Sequence, residues 1–155
     1  MTVTVEKAQF ATVELVSGLN RLMPQLSSSA EPLTSDDVEA MIHSESTTLF
    51  VALDDAKVVG TLTLIVFSIP TARRAWIEDV VVDEGSRGIG VGRQLTVAAI
   101  DEARLRGVRT IDLTSRPARV AANAMYLKLG FELRETNVYR RMINVAETES
   151  VTPDS

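Results

Sequence analysis

Between an apolar run that ends at Val82 and a long amphipathic segment that begins near Val91 stands Arg87-Gly88-Ile89-Gly90-Val91-Gly92. No other stretch restricts the fold as strongly. Three glycines at alternate positions strip the β-carbons from one side of a turn. Backbone N–H groups can then point outward together, where the following helix adds its unpaired first-turn donors and the positive end of its dipole. That is a cradle for an anion, with the charge of Arg87 at its rim, and a pyrophosphate is the natural occupant. An ordinary glycine-rich connection between strand and helix is the plainer alternative.

Length and charge narrow the classes. A chain of 155 residues is expected to be one domain with a sizeable core, here residues 1–145, followed by a polar, acidic, disordered tail over 146–155. The net charge of −5 argues against nucleic acid as a partner, which would need a basic face. The absence of cysteine removes disulfides and thiolate zinc sites, and a single histidine disfavours any His-based metal site or Ser-His-Asp catalysis. No metal is expected. Met1 to Phe10 lacks a signal-peptide core, and the longest apolar stretch, Val58 to Phe67, is too short to cross a bilayer. No membrane partner is expected, and the cytoplasm is the default location.

The hydrophobic periodicity alternates between strand and helix. Thr2 to Ala8 reads as a strand. Phe10, Val13, Val16, Leu19, Leu22, Met23 and Leu26 recur at helical spacing, and Ser27 to Leu33 is a polar loop. Thr34 or Ser35 caps a second helix that reaches His43. Leu49–Leu53, Val58–Phe67 and Ala75–Val82 read as an antiparallel meander turning at Asp54-Asp55, with Ser68 to Arg74 as a loop. After the glycine turn, Ile89, Leu95, Ala99, Ala103 and Leu105 lie along one helix that stops at Gly107. A fifth strand, Thr110–Thr114, a helix from about Arg119 to Leu129, and a closing hairpin of Phe131–Arg134 and Val138–Ile143 complete the chain. The fold class is α+β, in three layers with helices flanking a mixed sheet.

Sequence separates three readings of the glycine turn. A nucleotide-triphosphate P-loop needs Lys-Ser or Lys-Thr after its last glycine, where Arg93-Gln94 stand. A dinucleotide fold needs a further glycine at position 93 and an acid at the end of the next strand; Asp112 is expected inside that strand. The pattern Arg-x-x-Gly-x-Gly remains.

Here the chain resembles the GNAT superfamily of acetyl-CoA-dependent N-acetyltransferases. Two blocks in the family's order carry the resemblance. The first is Val80-Val81-Val82 followed by Arg87 to Arg93; the second is Ala121-Ala122-Asn123-Ala124-Met125-Tyr126-Leu127-Lys128-Leu129-Gly130-Phe131. Together they cover about residues 76 to 142.

The resemblance implies a mostly antiparallel sheet that splays between its fourth and fifth strands, with acyl-pantetheine in the gap. Val80, Val81 and Val82 would offer backbone groups to pantetheine as an added strand does, while their side chains serve the sheet core. The amides of Gly88, Ile89, Gly90, Val91, Gly92 and Arg93 would hold the pyrophosphate, with Arg87 and Arg93 nearby. Asn123 would bond the pantetheine chain. Where a common family version has Asn, seven residues before the tyrosine, this chain has Arg119.

The implied reaction moves an acetyl group from acetyl-CoA to a primary amine by direct attack in a ternary complex. It must deprotonate an ammonium and stabilise a departing thiolate. Glu78 is the expected general base, directly or through a water, and its alternative is a structural carboxylate. Neighbours Glu78 and Asp79 face opposite ways on a strand unless a bulge intervenes. Tyr126 is the expected partner of the sulfur. Proton transfer from a phenol to a thiolate is uphill by roughly 2 kcal/mol, so hydrogen-bond stabilisation comes first.

Other residues read more plainly. His43 suits a helix end, and Trp76 and Tyr139 belong to sheet packing or to the border of an acceptor pocket. Arg73, Arg74, Arg104 and Arg106 read as solvated. Ile77 to Val82 with Arg87-Gly88 resembles the glucosamine-phosphate N-acetyltransferases within the superfamily, yet protein-lysine and N-terminal acetyltransferases share the same cofactor half. The acidic composition tilts the acceptor toward a small cationic amine. A non-catalytic acyl-CoA-binding module is the competing class, and a homodimer, common in the superfamily, stays open.

Overall fold

A computed structural model describes residues 2–144, so the expected tail over 146–155 lies outside the described residues. Five strands form one sheet in the order β1-β2-β3-β4-β5. β1 (Val3–Lys7), β2 (Thr47–Asp54), β3 (Lys57–Ile69) and β4 (Ala72–Val82) pair antiparallel in succession, and β5 (Thr110–Asp112) runs parallel to β4. Among the described residues there are four α-helices: α1 (Val13–Leu26), α2 (Ser35–His43), α3 (Val91–Leu105) and α4 (Val120–Lys128). This is the expected α+β class with a mixed, mostly antiparallel sheet. Among the described residues no helix is long and apolar enough to cross a membrane.

Each face of the sheet has its own core. α3 lays Val91, Leu95, Ala99 and Ala103, spaced one turn apart, on Phe50, Leu62, Leu64, Ala75 and Ile77. α1 lays Leu15, Leu19 and Leu22 on Leu49, Val51, Val58 and Val81, with Val38 of α2 beside them. Fully burying each such aliphatic side chain stabilises the fold by about 1.5–3 kcal/mol before chain entropy is counted. Gly18 lets α1 settle on β3, since a β-carbon there would lie 2.7 Å from Val58 Cβ. Gly60 does the same for α3: a β-carbon would stand 3.1 Å from Val91 Cγ1 and 3.2 Å from Leu95 Cδ1. A glycine inside an apolar strand signals such a close approach. Thr34 caps α2 through a reciprocal box with Asp37.

Several expectations change. Phe10 and Ile89 lie outside the helices, 70% and 51% exposed, and Leu105 ends α3 at 85%, so these three do not share the buried stripes. Residues 68 to 74 are not a loop: Ser68 pairs with Arg73 and Ile69 with Ala72, which leaves only Pro70-Thr71 to turn. Arg73 is strapped to the end of α3 through Arg106 O at 2.9 Å, and Arg106 reaches Glu45 O. The fifth strand stops at Asp112 rather than Thr114. Asp112 therefore does close its strand, and the dinucleotide fold fails on topology instead, because it requires a mostly parallel sheet.

The closing hairpin does not form as strands. Residues 131–144 run without ladder pairing, and Leu133, Val138, Tyr139, Met142 and Ile143 are exposed. Two strands alone are marginal in water and need a third to lean on. β5 offers only three paired residues.

Candidate active site

β4 changes face in mid-strand. Thr63 pairs with Glu78 and Thr61 with Val81, so Asp79 and Val80 together oppose Leu62, with Asp79 at φ +50°. This is a bulge with its left-handed residue. Ala75 and Ile77 face the α3 core before it; Val81 faces the α1 core after it, while Val80 and Val82 pack on the α3 side. The bulge that would exempt Glu78 and Asp79 from strict alternation is present, although only Glu78 lines the neighbouring groove.

Beside the bulge the sheet opens. β4 and β5 pair at Arg74–Thr110, Ala75–Ile111 and Trp76–Asp112, and no further. From Ile77 to Val82 that edge of β4 has no strand partner among the described residues, while its other edge stays on β3. This is the splay expected between the fourth and fifth strands. It leaves the edge of β4 open at Val80 and Val82, where Arg87 already bonds Val82 O, while the backbone of Val81 pairs with Thr61 on β3.

The glycine turn follows at once. Gly88 and Gly90 adopt φ of +82° and +87°, a region that costs other residues about 1–2 kcal/mol. Gly90 is the N-cap of α3 and supplies no side chain to the first-turn donors, so the amides of Val91, Gly92 and Arg93 are left for an outside partner. A β-carbon on Gly88 or Gly90 would meet nothing within 4 Å, so the space before the turn is open. Val91 is buried and anchors the helix, whereas Ile89 and Arg93 are exposed. Arg87 is held at the rim by a bond from Nε to Val82 O at 3.2 Å. Outward amides, a helix N-terminus and two arginines form a donor set that fits a diphosphate.

Sequence reasoning missed the clamp under this turn. Gln25, in the last turn of α1, donates from Nε2 to Asp83 Oδ1 at 3.1 Å and accepts from Glu84 N at 3.0 Å. The Gln25 hydrogen bond holds the Asp83 carboxyl below its ordinary value, helped by the charge of Lys57. No local pattern announces a contact between residues 58 positions apart.

α4 closes beside the turn. Met125 Cε and Val82 Cγ2 each lie 3.8 Å from where a β-carbon on Gly92 would sit, so the end of β4, the first turn of α3 and α4 meet at one point. Tyr126 is 6% exposed and stacks edge-on against Phe131, ring centroids 5.7 Å apart. Burial pushes its phenol above 10.0, and the Arg119 guanidinium pulls it partly back. Asn123 Nδ2 is committed to Arg116 O at 3.0 Å, which leaves Oδ1 for any outside contact.

A groove of about 510 Å³ opens on the face of β4 away from α3. Trp76 and Glu78 of β4 line it together with Thr114 and with Val138, Tyr139, Arg140 and Arg141 from the segment after α4. Trp76 Nε1 donates to Glu78 Oε1 at 2.6 Å. Thus Trp76 and Tyr139 border the groove. His43 is an exposed helix-end residue bonded to Glu39 O.

Comparison with known proteins adds a family. A family model described as Acetyltransferase (GNAT) family matches residues 16–131. A mycothiol acetyltransferase of Amycolatopsis mediterranei is 44% identical over 59 residues, 38% of this chain and 20% of that protein. The chain spans about a fifth of the length of the curated mycothiol acetyltransferases it matches. N-alpha-acetyltransferase 30 of Schizosaccharomyces pombe is 28% identical over 116 residues, 74% of this chain and 77% of that one. Glucosamine-6-phosphate N-acetyltransferase of Arabidopsis thaliana superposes with a TM-score of 0.77 over 92% of this chain and 100% of that one; at 18% identity this speaks to the fold alone.

Proposed function

The chain belongs to the acetyltransferase (GNAT) family, and from that premise we propose that it moves an acetyl group from acetyl-CoA to a primary amine of a small molecule, by direct attack in a ternary complex. The observation that carries this is the meeting of three elements at Gly92: the open end of β4, the glycine turn and α4 with Tyr126. A groove holding one oriented carboxylate, Glu78, adjoins the open edge of β4. We read residues 1–145 as one such domain.

When bound, acetyl-CoA supplies an electrophilic thioester carbonyl and a thiolate leaving group. The chain supplies the rest. The amides from Gly88 to Arg93, with the Arg87 and Arg93 charges, hold the diphosphate. Backbone groups of Val80 and Val82 orient the pantetheine arm as a neighbouring strand would, while Val81, paired with β3, holds that edge in place, and Asn123 Oδ1 is left to accept from it. Glu78 takes the proton of the incoming ammonium at its free carboxylate oxygen, directly or through one water. Tyr126 donates a hydrogen bond to the departing sulfur. Its raised pKa makes full proton transfer more costly than the roughly 2 kcal/mol of an ordinary phenol, so it acts by hydrogen bonding.

A protein N-terminus is the second acceptor class, favoured by the match that spans 77% of the yeast N-alpha-acetyltransferase. The test is release of free CoA from acetyl-CoA across a panel of small amines and one peptide. Amine-dependent release is expected, falling about 100-fold or more in Glu78→Gln and in Tyr126→Phe. Stabilisation by acetyl-CoA with no amine acetylated would assign the chain to non-catalytic acyl-CoA binding instead.

A further inference from the structure

The groove beside Glu78 carries a charge pattern that acetyl transfer does not require. Deprotonating an amine needs one carboxylate. The lining also includes two arginines, Arg140 and Arg141, on a chain whose net charge is −5. Glu78 and Arg140 form no ion pair with each other. Opposite charges in one groove thus stand beyond ion-pair distance, with Trp76 fixing the Glu78 carboxylate on its own side.

We propose that the acceptor is a small primary amine that also carries an anionic group, a carboxylate or a phosphate. This rests on the acetyltransferase assignment and names its substrate class. The ammonium sits at Glu78 and the anion pairs with Arg140, whose planar fork matches either oxyanion with two hydrogen bonds. Trp76 and Tyr139 cover the apolar body between them. The groove volume, about 510 Å³, falls within the range of small-molecule sites. A polycation would set like charge against Arg140, so the groove reverses the preference that acidic composition alone suggests. Net charge describes the whole surface, whereas an acceptor meets only the groove.

Matched pairs test this on the full chain: an aromatic α-amino acid against its carboxamide, and an amino-sugar phosphate against the parent amino sugar, with a polyamine alongside. The anionic member of at least one pair is expected to show kcat/KM about tenfold or more above its neutral twin, and the polyamine to be poorest. Which pair discriminates separates carboxylate from phosphate. Arg140→Gln is expected to bring that ratio within about threefold of one, mainly through KM, with the melting temperature and the stabilisation by acetyl-CoA retained. Neutral or polycationic amines acetylated as well as the anionic ones would overturn the proposal while leaving the acetyltransferase assignment intact. If acetyl-CoA binds and no amine is acetylated, the assignment itself falls and this proposal with it.

Discussion

Trp76 and Glu78, two residues apart on one face of β4, are joined by an indole N–H donating to a carboxylate at 2.6 Å. The bond holds an exposed acid in one orientation at the edge of the groove and occupies one of its two oxygens. It also gives the aromatic residue beside the acid two roles: the ring borders the groove, and the N–H sets the orientation of the carboxylate proposed as base.

Replacing Trp76 by Phe keeps a ring and deletes only the donor. We expect kcat to fall about threefold to tenfold with the KM for acetyl-CoA unchanged, because a charge-assisted hydrogen bond at an exposed site is worth only the lower end of its usual range. Initial rates of CoA release measure this. An unchanged kcat would mean that Glu78 needs no orienting partner.

Tyr126 gives a prediction in alkali. Burial raises its folded-state pKa above 10.0, so folding favours the neutral phenol. That contribution is fully present below the unfolded value and is lost as the pH rises past 10.0 through the folded value. The stability advantage of the wild type over Tyr126→Phe should therefore hold steady below that pH and shrink above it. The chain has two tyrosines; in a Tyr139→Phe background, ultraviolet titration reads Tyr126 alone. Adding Arg119→Gln should move that titration to higher pH, since the guanidinium is the influence that lowers it. A shift to lower pH would contradict the arrangement.

The sequence exposed the parts of this fold that repeat and hid those that depend on pairing. Leu15, Leu19 and Leu22 on α1 and Leu95, Ala99 and Ala103 on α3 announce their faces by spacing alone. Gly88 and Gly90 announced a turn because positive φ selects glycine. The bulge at Asp79-Val80 is invisible in the string of residues: it arises from register against Leu62 on β3. Arg73 and Arg74 looked like loop residues, yet their backbone pairs at the start of β4 while the long Arg73 side chain reaches Arg106 O. Alternating apolar residues after Phe131 looked like strands, but β5 is too short to supply their partner. For the groove, sequence marked Glu78, Trp76 and Tyr139; Arg140 went unnoticed because it lies 62 positions from Glu78 with no periodicity between them.

Gly18 tests the packing that holds α1 on the sheet. Alanine would gain about 1 kcal/mol of helix propensity, but its β-carbon would lie 2.7 Å from Val58 Cβ, forcing the helix off the strand. Overpacking of this kind costs about 1–3 kcal/mol. A net fall in melting temperature of a few degrees is expected for a chain of this size. In a Val58→Gly background, which removes that Cβ, the same change should cost less than it does alone, a departure from additivity that marks direct contact. A rise in melting temperature for Gly18→Ala alone would contradict the close approach.

The central claim is that the glycine turn seats the diphosphate of acetyl-CoA, and thermal unfolding with and without that ligand tests it most directly. At about 100 times the dissociation constant a ligand adds roughly 2.7 kcal/mol, which raises the melting temperature by several degrees. We predict that rise with acetyl-CoA, none with NAD at the same concentration, and its loss in Gly90→Val, where φ of +87° excludes a branched residue and a side chain would fill the open cradle. No rise with acetyl-CoA, or an equal rise with NAD, would contradict the account.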